Sequence, residues 1–117
     1  MNPNQFSVAA HFAGKEPDTR KIYDRLLKTS GSFGPFAEDP KKTSIHLVNK
    51  TAFAGVATRK NAIILTIKSD RQLASPRIHK SEQASARRFH HEVRLTSPAD
   101  VDAELKGWLK AAYELSA

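Results

Sequence analysis

A chain of 117 residues with 39% hydrophobic and 26% charged residues has the composition of a folded protein and is long enough to bury one core. It carries 19 Lys and Arg against 12 Asp and Glu, a net charge of +7, and no cysteine, which excludes disulfides, thiolate nucleophiles and cysteine-ligated metals. The opening MNPNQFSVAAHFAGKEP lacks the cationic start and long apolar run of a secretory leader. No stretch reaches the roughly 18 apolar residues of a membrane span, so no membrane association and a cytoplasmic location are expected.

The pattern predicts a single domain over 1–117. Residues 1–16 show no sustained period and read as an irregular lead-in. A helix is expected from Pro17-Asp18, where proline and an acidic residue suit the first turn; Ile22, Tyr23, Leu26 and Leu27 give it one apolar face. Thr29-Ser30-Gly31 closes it, with Gly31 expected to take the left-handed conformation of a helix end. The segment SFGPFAEDPKK reads as a loop from its Gly and Pro content. Three strands are then expected in quick succession, at 43–49 (TSIHLVN), 51–58 (TAFAGVAT) and 61–68 (NAIILTIK), joined tightly enough to form hairpins. Residues 69–86 are polar and basic and read as a long loop, with a short helix near 79–86 as the alternative. A fourth strand follows in RFHHEVRLT. The C-terminal helix is expected to begin with Ser97 as cap, Pro98 in the first position and Asp100 in the first turn. Val101, Leu105, Trp108, Leu109 and Ala112 form its apolar stripe, and Asp102, Lys106, Lys110 and Glu114 its wet side.

The expected architecture is therefore α+β: a two-layer sandwich with a four-stranded antiparallel sheet in the order α-β-β-β-β-α, and the two helices packed on one sheet face. Strand alternation places Ile45, Leu47, Ile63, Leu65, Ile67, Phe89, Val93 and Leu95 toward the helices. His46, Val48, Ala54, Val56, Ala62, Ile64, Thr66, His90, Glu92 and Arg94 fall on the opposite, mixed face. Such a face suits a partner subunit or a ligand.

Several chemistries fail on spacing. Gly14-Lys15 is followed by Glu16 and has Ala9 five residues upstream, so there is no phosphate loop. Gly31-Ser32-Phe33-Gly34 is one residue short of a hydrolase elbow, and His91-Glu92 continues as Val93-Arg94-Leu95 on a strand rather than as a helical zinc motif. Consecutive strand residues point to opposite faces, so His90 and His91 do not share a metal. His91 belongs with Phe89, Val93 and Leu95 in the core. His46, His90, Glu92 and Arg94 share the mixed face and are candidates for holding a small molecule or a metal. No metal or other cofactor is assigned, and the balance of motifs leans against an enzyme.

The charge is concentrated late in the chain: from Arg59 to Arg94 nine basic residues stand against Asp70, Glu82 and Glu92. Lys42, Arg59, Lys60, Arg71, Arg77, Lys80, Arg87 and Arg88 fall at strand ends and in the basic loop, where cations meet phosphates. Nucleic acid or another polyanion is the partner they would suit.

The segments HFAGKEP, IYDRLL, SFGPFAED, KKTSIHL, FAGVATRKNAIILTI and HHEVRLTSPADVDAELKGWLKAAYE, spread over residues 11–114, resemble the bacterial domain-of-unknown-function family 5655. Some of its members are labelled "predicted transport protein", and others are fused to DNA-handling domains. The resemblance implies a fold and supplies no catalytic residues. The leading expectation is a non-enzymatic binding or accessory domain that contacts an anionic partner through a basic surface and forms a homodimer. The alternatives are a ligand site on the mixed face, or a purely structural dimerisation module.

Overall fold

A computed structural model describes residues 6–117. Its helices are α1 (Val8–Phe12), α2 (Pro17–Gly31) and α3 (Ala103–Leu115), with a 3-10 turn at Pro98–Asp100. The strands are β1 (Ala37–Pro40), β2 (Ile45–Val48), β3 (Ala52–Thr58), β4 (Ile63–Ser69), β5 (Ile78–Ser85) and β6 (Arg88–Leu95). They form one antiparallel sheet in the order β1-β2-β3-β4-β6-β5. The fold is α+β as expected, with six strands in place of four.

Both additional strands lie at the edges, where a strand needs neither alternation nor apolar side chains. β5 replaces the expected loop or short helix; it is exposed along nearly its whole length and pairs only with β6. β1 occupies the supposed loop SFGPFAEDPKK and ends in Pro40, a residue suited to a sheet edge. Its Glu38 lies opposite the buried Leu47 and is satisfied there by the buried Tyr23, whose hydroxyl donates to Glu38 Oε1 at 2.6 Å. Burial, and then that carboxylate, hold the Tyr23 phenol well above its usual pKa.

The supposed irregular lead-in contains α1, capped by Ser7; the part of that expectation covering residues 1–5 lies outside the described residues. α2 spans Pro17–Gly31 as expected, but Gly31 stays within the helix and is not left-handed. Ser32 ends the helix instead, its hydroxyl donating to Thr29 O at 2.6 Å. Gly34 is the glycine the turn requires. Its φ is +146°, and a Cβ there would stand 2.5 Å from the Tyr113 hydroxyl.

The C-terminal helix starts later than expected. Ser97 and Asp100 form a capping box around the 3-10 turn, and α3 begins only at Ala103, with Asp102 as its N-cap accepting from Leu105 N at 3.1 Å. Asp102 is therefore a cap rather than a wet-face residue. Its pKa is lowered by the Leu105 amide and then by Arg77.

Ile22, Tyr23 and Leu26 of α2 and Leu105, Leu109 and Ala112 of α3 join Ile45, Leu47, Val56, Leu65, Ile67, Val93 and Leu95 in a single buried cluster. The helices thus cover one face of the sheet and leave the other open. Strand β3 departs from the expected phase. Ala54 and Val56 face the packed side, opposite Leu47 and Ile45, so Gly55 faces the open side. Ala62, also expected on the open face, is fully buried just before β4. The run AFAGVAT is small or apolar at every position and carries no alternation to read.

Candidate functional site

The open face is built from cross-strand rows. One row runs across all six strands as Asp39, His46, Gly55, Thr66, Glu92 and Lys80. The next contains Lys68, His90 and Glu82. On the other side Ile64 pairs with Ala57 and Arg94.

Two local features hollow this surface at β3. Gly55 contributes no side chain between His46 and Thr66. In addition, Leu47 pairs with Ala54 while Val48 pairs with Ala52, so Phe53 is the extra residue of a β-bulge. Its ring turns to the packed side, where it lies edge-on to Phe36 and Tyr113 at centroid distances of 6.1 and 5.4 Å. The open face loses one side chain to glycine and another to the bulge. The result is an open trough of about 360 Å³. Ala52, Gly55, Ala57 and Thr66 form much of its lining, with Ser44 and His46 toward β2 and Lys68 and His90 toward β6.

Of the four residues expected to share a ligand on this face, the structure brings His46 and His90 to the trough and not the others. Glu92 is engaged at the β5 edge, with its Oε1 3.3 Å from His79 Nε2. Arg94 borders a separate hollow with Glu16, Asp18 and Asn61. Among the described residues no three His, Asp or Glu side chains gather closely enough to hold a metal ion. His91, assigned to the core, is fully buried; Ser81 Oγ lies 2.8 Å from its Nδ1, and Arg71 O lies 3.2 Å from its Nε2.

Lys68 is the trough residue that sequence reasoning missed. It is half-buried, and its Nζ donates to Ser116 Oγ at 2.8 Å and Thr51 Oγ1 at 3.0 Å. Burial and then the nearby Arg88 hold its ammonium below the usual lysine pKa. The signal was available, since Ile64, Thr66 and Lys68 alternate onto one face. Gly55 was also legible as a strand-interior glycine, which often marks a bulge.

The eight candidate phosphate-binding cations do not form one surface. Lys42, in the β1–β2 turn, and Arg59 and Lys60, in the β3–β4 turn, lie at one end of the sheet. Arg71 follows β4, and Arg87 and Arg88 lie at the start of β6, at the opposite end. Lys80 is on the edge strand. Arg77 is committed to holding α3: it meets Asp102 at 2.8 Å and Glu104 at 3.2 Å, and donates to Asp100 O at 2.6 Å. None of the described helices is long and apolar enough to cross a membrane.

No curated protein and no solved structure matches the chain significantly. One family model does match, over residues 8–116, nearly its whole length, and its description is domain of unknown function, DUF5655. The chain belongs to that family.

Proposed function

We propose that this domain is a non-enzymatic binding module and that its site is the trough on the open sheet face, which takes a small molecule. One observation carries the reading. A sheet face whose rows are otherwise occupied is emptied at β3 by Gly55 and by the inward turn of Phe53, and the hollow has the size of a small-ligand site. His46, Thr66, Lys68 and His90 supply a few polar groups around a lining of small residues, the usual composition of such sites.

The test uses Gly55. A Cβ at this position would meet only His46 Cδ2 and Thr66 Cβ, each at 3.9 Å, so Gly55→Val fills the trough without a backbone clash. Thermal-shift screening of wild type against a metabolite collection should yield ligands whose shifts vanish in Gly55→Val. Shifts that persist in the variant would place the ligand elsewhere. If no compound shifts wild type and the solution mass is that of a dimer that Gly55→Val or Ile64→Glu dissociates, a second copy occupies this face instead.

A second reading, contact with nucleic acid, draws support from the gathering of Arg71, Arg87 and Arg88 at one end of the sheet, next to Lys68. It predicts a log affinity that falls linearly with log salt, by a slope of about 0.9 per phosphate on duplex DNA. Arg87→Glu with Arg88→Glu should weaken binding to all sequences alike. Binding that ignores salt removes this reading.

A further inference from the structure

The open face carries charges of both signs, but its acids and bases are not paired evenly. Asp39, beside His46, is held by Lys41 at 2.9 Å. Glu92 is engaged by His79. Glu82 lies one strand beyond His90 on the exposed edge strand. Among the described residues no carboxylate comes within 4.0 Å of Lys68 or Arg88. Among the described residues the Arg88 guanidinium donates to the neighbouring Arg87 carbonyl, at 2.9 Å, and to no other group.

Lys68 is therefore a half-buried cation whose partners are two neutral hydroxyls. An ammonium has three N–H groups, and among the described residues two of them find acceptors. Arg88 stands two residues from His90, the cross-strand partner of Lys68, on the same face of β6, and a second positive charge so placed beside a part-buried ammonium is unfavourable unless something compensates it. The rest of the trough is different in kind: Ala52, Gly55, Ala57 and the methyl-bearing Thr66 offer a low, largely apolar floor. The lysine charge of the lining thus stands at one end of an apolar floor, with Ser44 and His46 along the β2 side.

We infer that the ligand of this trough is an amphipathic organic anion, with its apolar body over Gly55, Ala57 and Thr66 and its anionic group at Lys68, flanked by Arg88 and His90. The inference rests on the trough being the site, and names the chemistry of what fills it. The anion takes the third Lys68 donor and neutralises the unpaired charge, an attraction strengthened by the partial exclusion of water.

Two fluorescent probes separate the inference from the reading beneath it. Anilinonaphthalene sulfonate is an amphipathic anion, and N-phenylnaphthylamine has nearly the same aromatic body without the sulfonate. The full chain should bind the anionic dye saturably and more tightly than the neutral one. Lys68→Met keeps the side-chain length and removes the charge; it should weaken the anionic dye about tenfold and leave the neutral dye unchanged. Gly55→Val should abolish both. Equal affinity for the two dyes, unaltered by Lys68→Met but lost in Gly55→Val, overturns the anion and leaves the trough standing. Saturable binding that survives Gly55→Val, or no binding of either dye to wild type, overturns both. Should Lys68→Met fail to fold, Arg88→Gln gives the same discrimination with a smaller loss, about threefold.

Discussion

Lys68 shows how one side chain can set the balance of a surface. Its ammonium is disfavoured in the folded state by burial and by Arg88. The unfolded chain therefore binds the proton more readily, and folding releases it in the interval between the lowered value and the ordinary 10.5. Below that interval the penalty is fully present, and it fades as pH rises toward 10.5. Lys68→Met should thus gain most against wild type near neutral pH, with the difference shrinking as pH climbs. Urea unfolding of both proteins at pH 7 and pH 10 measures it. The opposite trend would mean that the bonds to Thr51 and Ser116 outweigh the cost of burial. At this scale the sequence was partly legible. Alternation separated His90 from His91 correctly, because β6 is a regular strand with one apolar side. It could not show that Arg77, one of eight similar basic residues, is held by Asp102 and Glu104, since those pairings span 25 and 27 residues and depend on where α3 begins.

Among the elements, β3 governs the site. The bulge at Phe53 does two jobs: it removes a side chain from the open face and plants a ring between Phe36 and Tyr113. Phe53→Ala should cost about 3–5 kcal/mol, typical of a buried aromatic truncated to a cavity. Gly55→Val should go the other way by about 1 kcal/mol, because glycine weakens a strand interior and valine suits it. Chemical denaturation of the two variants checks both signs. A destabilised Gly55→Val would show that the open face tolerates no side chain there. The buried strands β2, β4 and β6 were readable because each alternates under the helices. β1 and β5 were not, since edge strands exposed to water carry polar sequences like those of loops. The start of α3 was misplaced for a related reason. Two good caps stand five residues apart, Ser97 and Asp102, and propensity alone does not say which one opens the long helix.

The whole molecule is one sheet with its helices on a single side. That asymmetry was legible from two amphipathic helices and strands with one apolar face, and it is why a ligand site is sought on the other side. The edges are guarded. β1 is four residues long and ends in proline, and β5 carries Lys80, Glu82 and two register irregularities, features that discourage pairing with another sheet. Association of copies should therefore proceed through the open face or not at all. A solution dimer dispersed by Ile64→Glu would agree, whereas one insensitive to it would point to an edge.

The carbonyl of Ser116 accepts from both Lys50 N, at 2.9 Å, and Thr51 N, at 3.2 Å. The β2–β3 turn has one backbone bond of its own, from Asn49 N to Thr51 O at 3.0 Å, and is completed by a residue 65 positions beyond Thr51. A hairpin closed from such a distance does not finish forming until the last helix has docked, so local structure and global closure become one event. The amides of Lys50 and Thr51 should accordingly exchange with solvent only at the pace at which the end of α3 lifts away. An exposed turn would then keep time with the core.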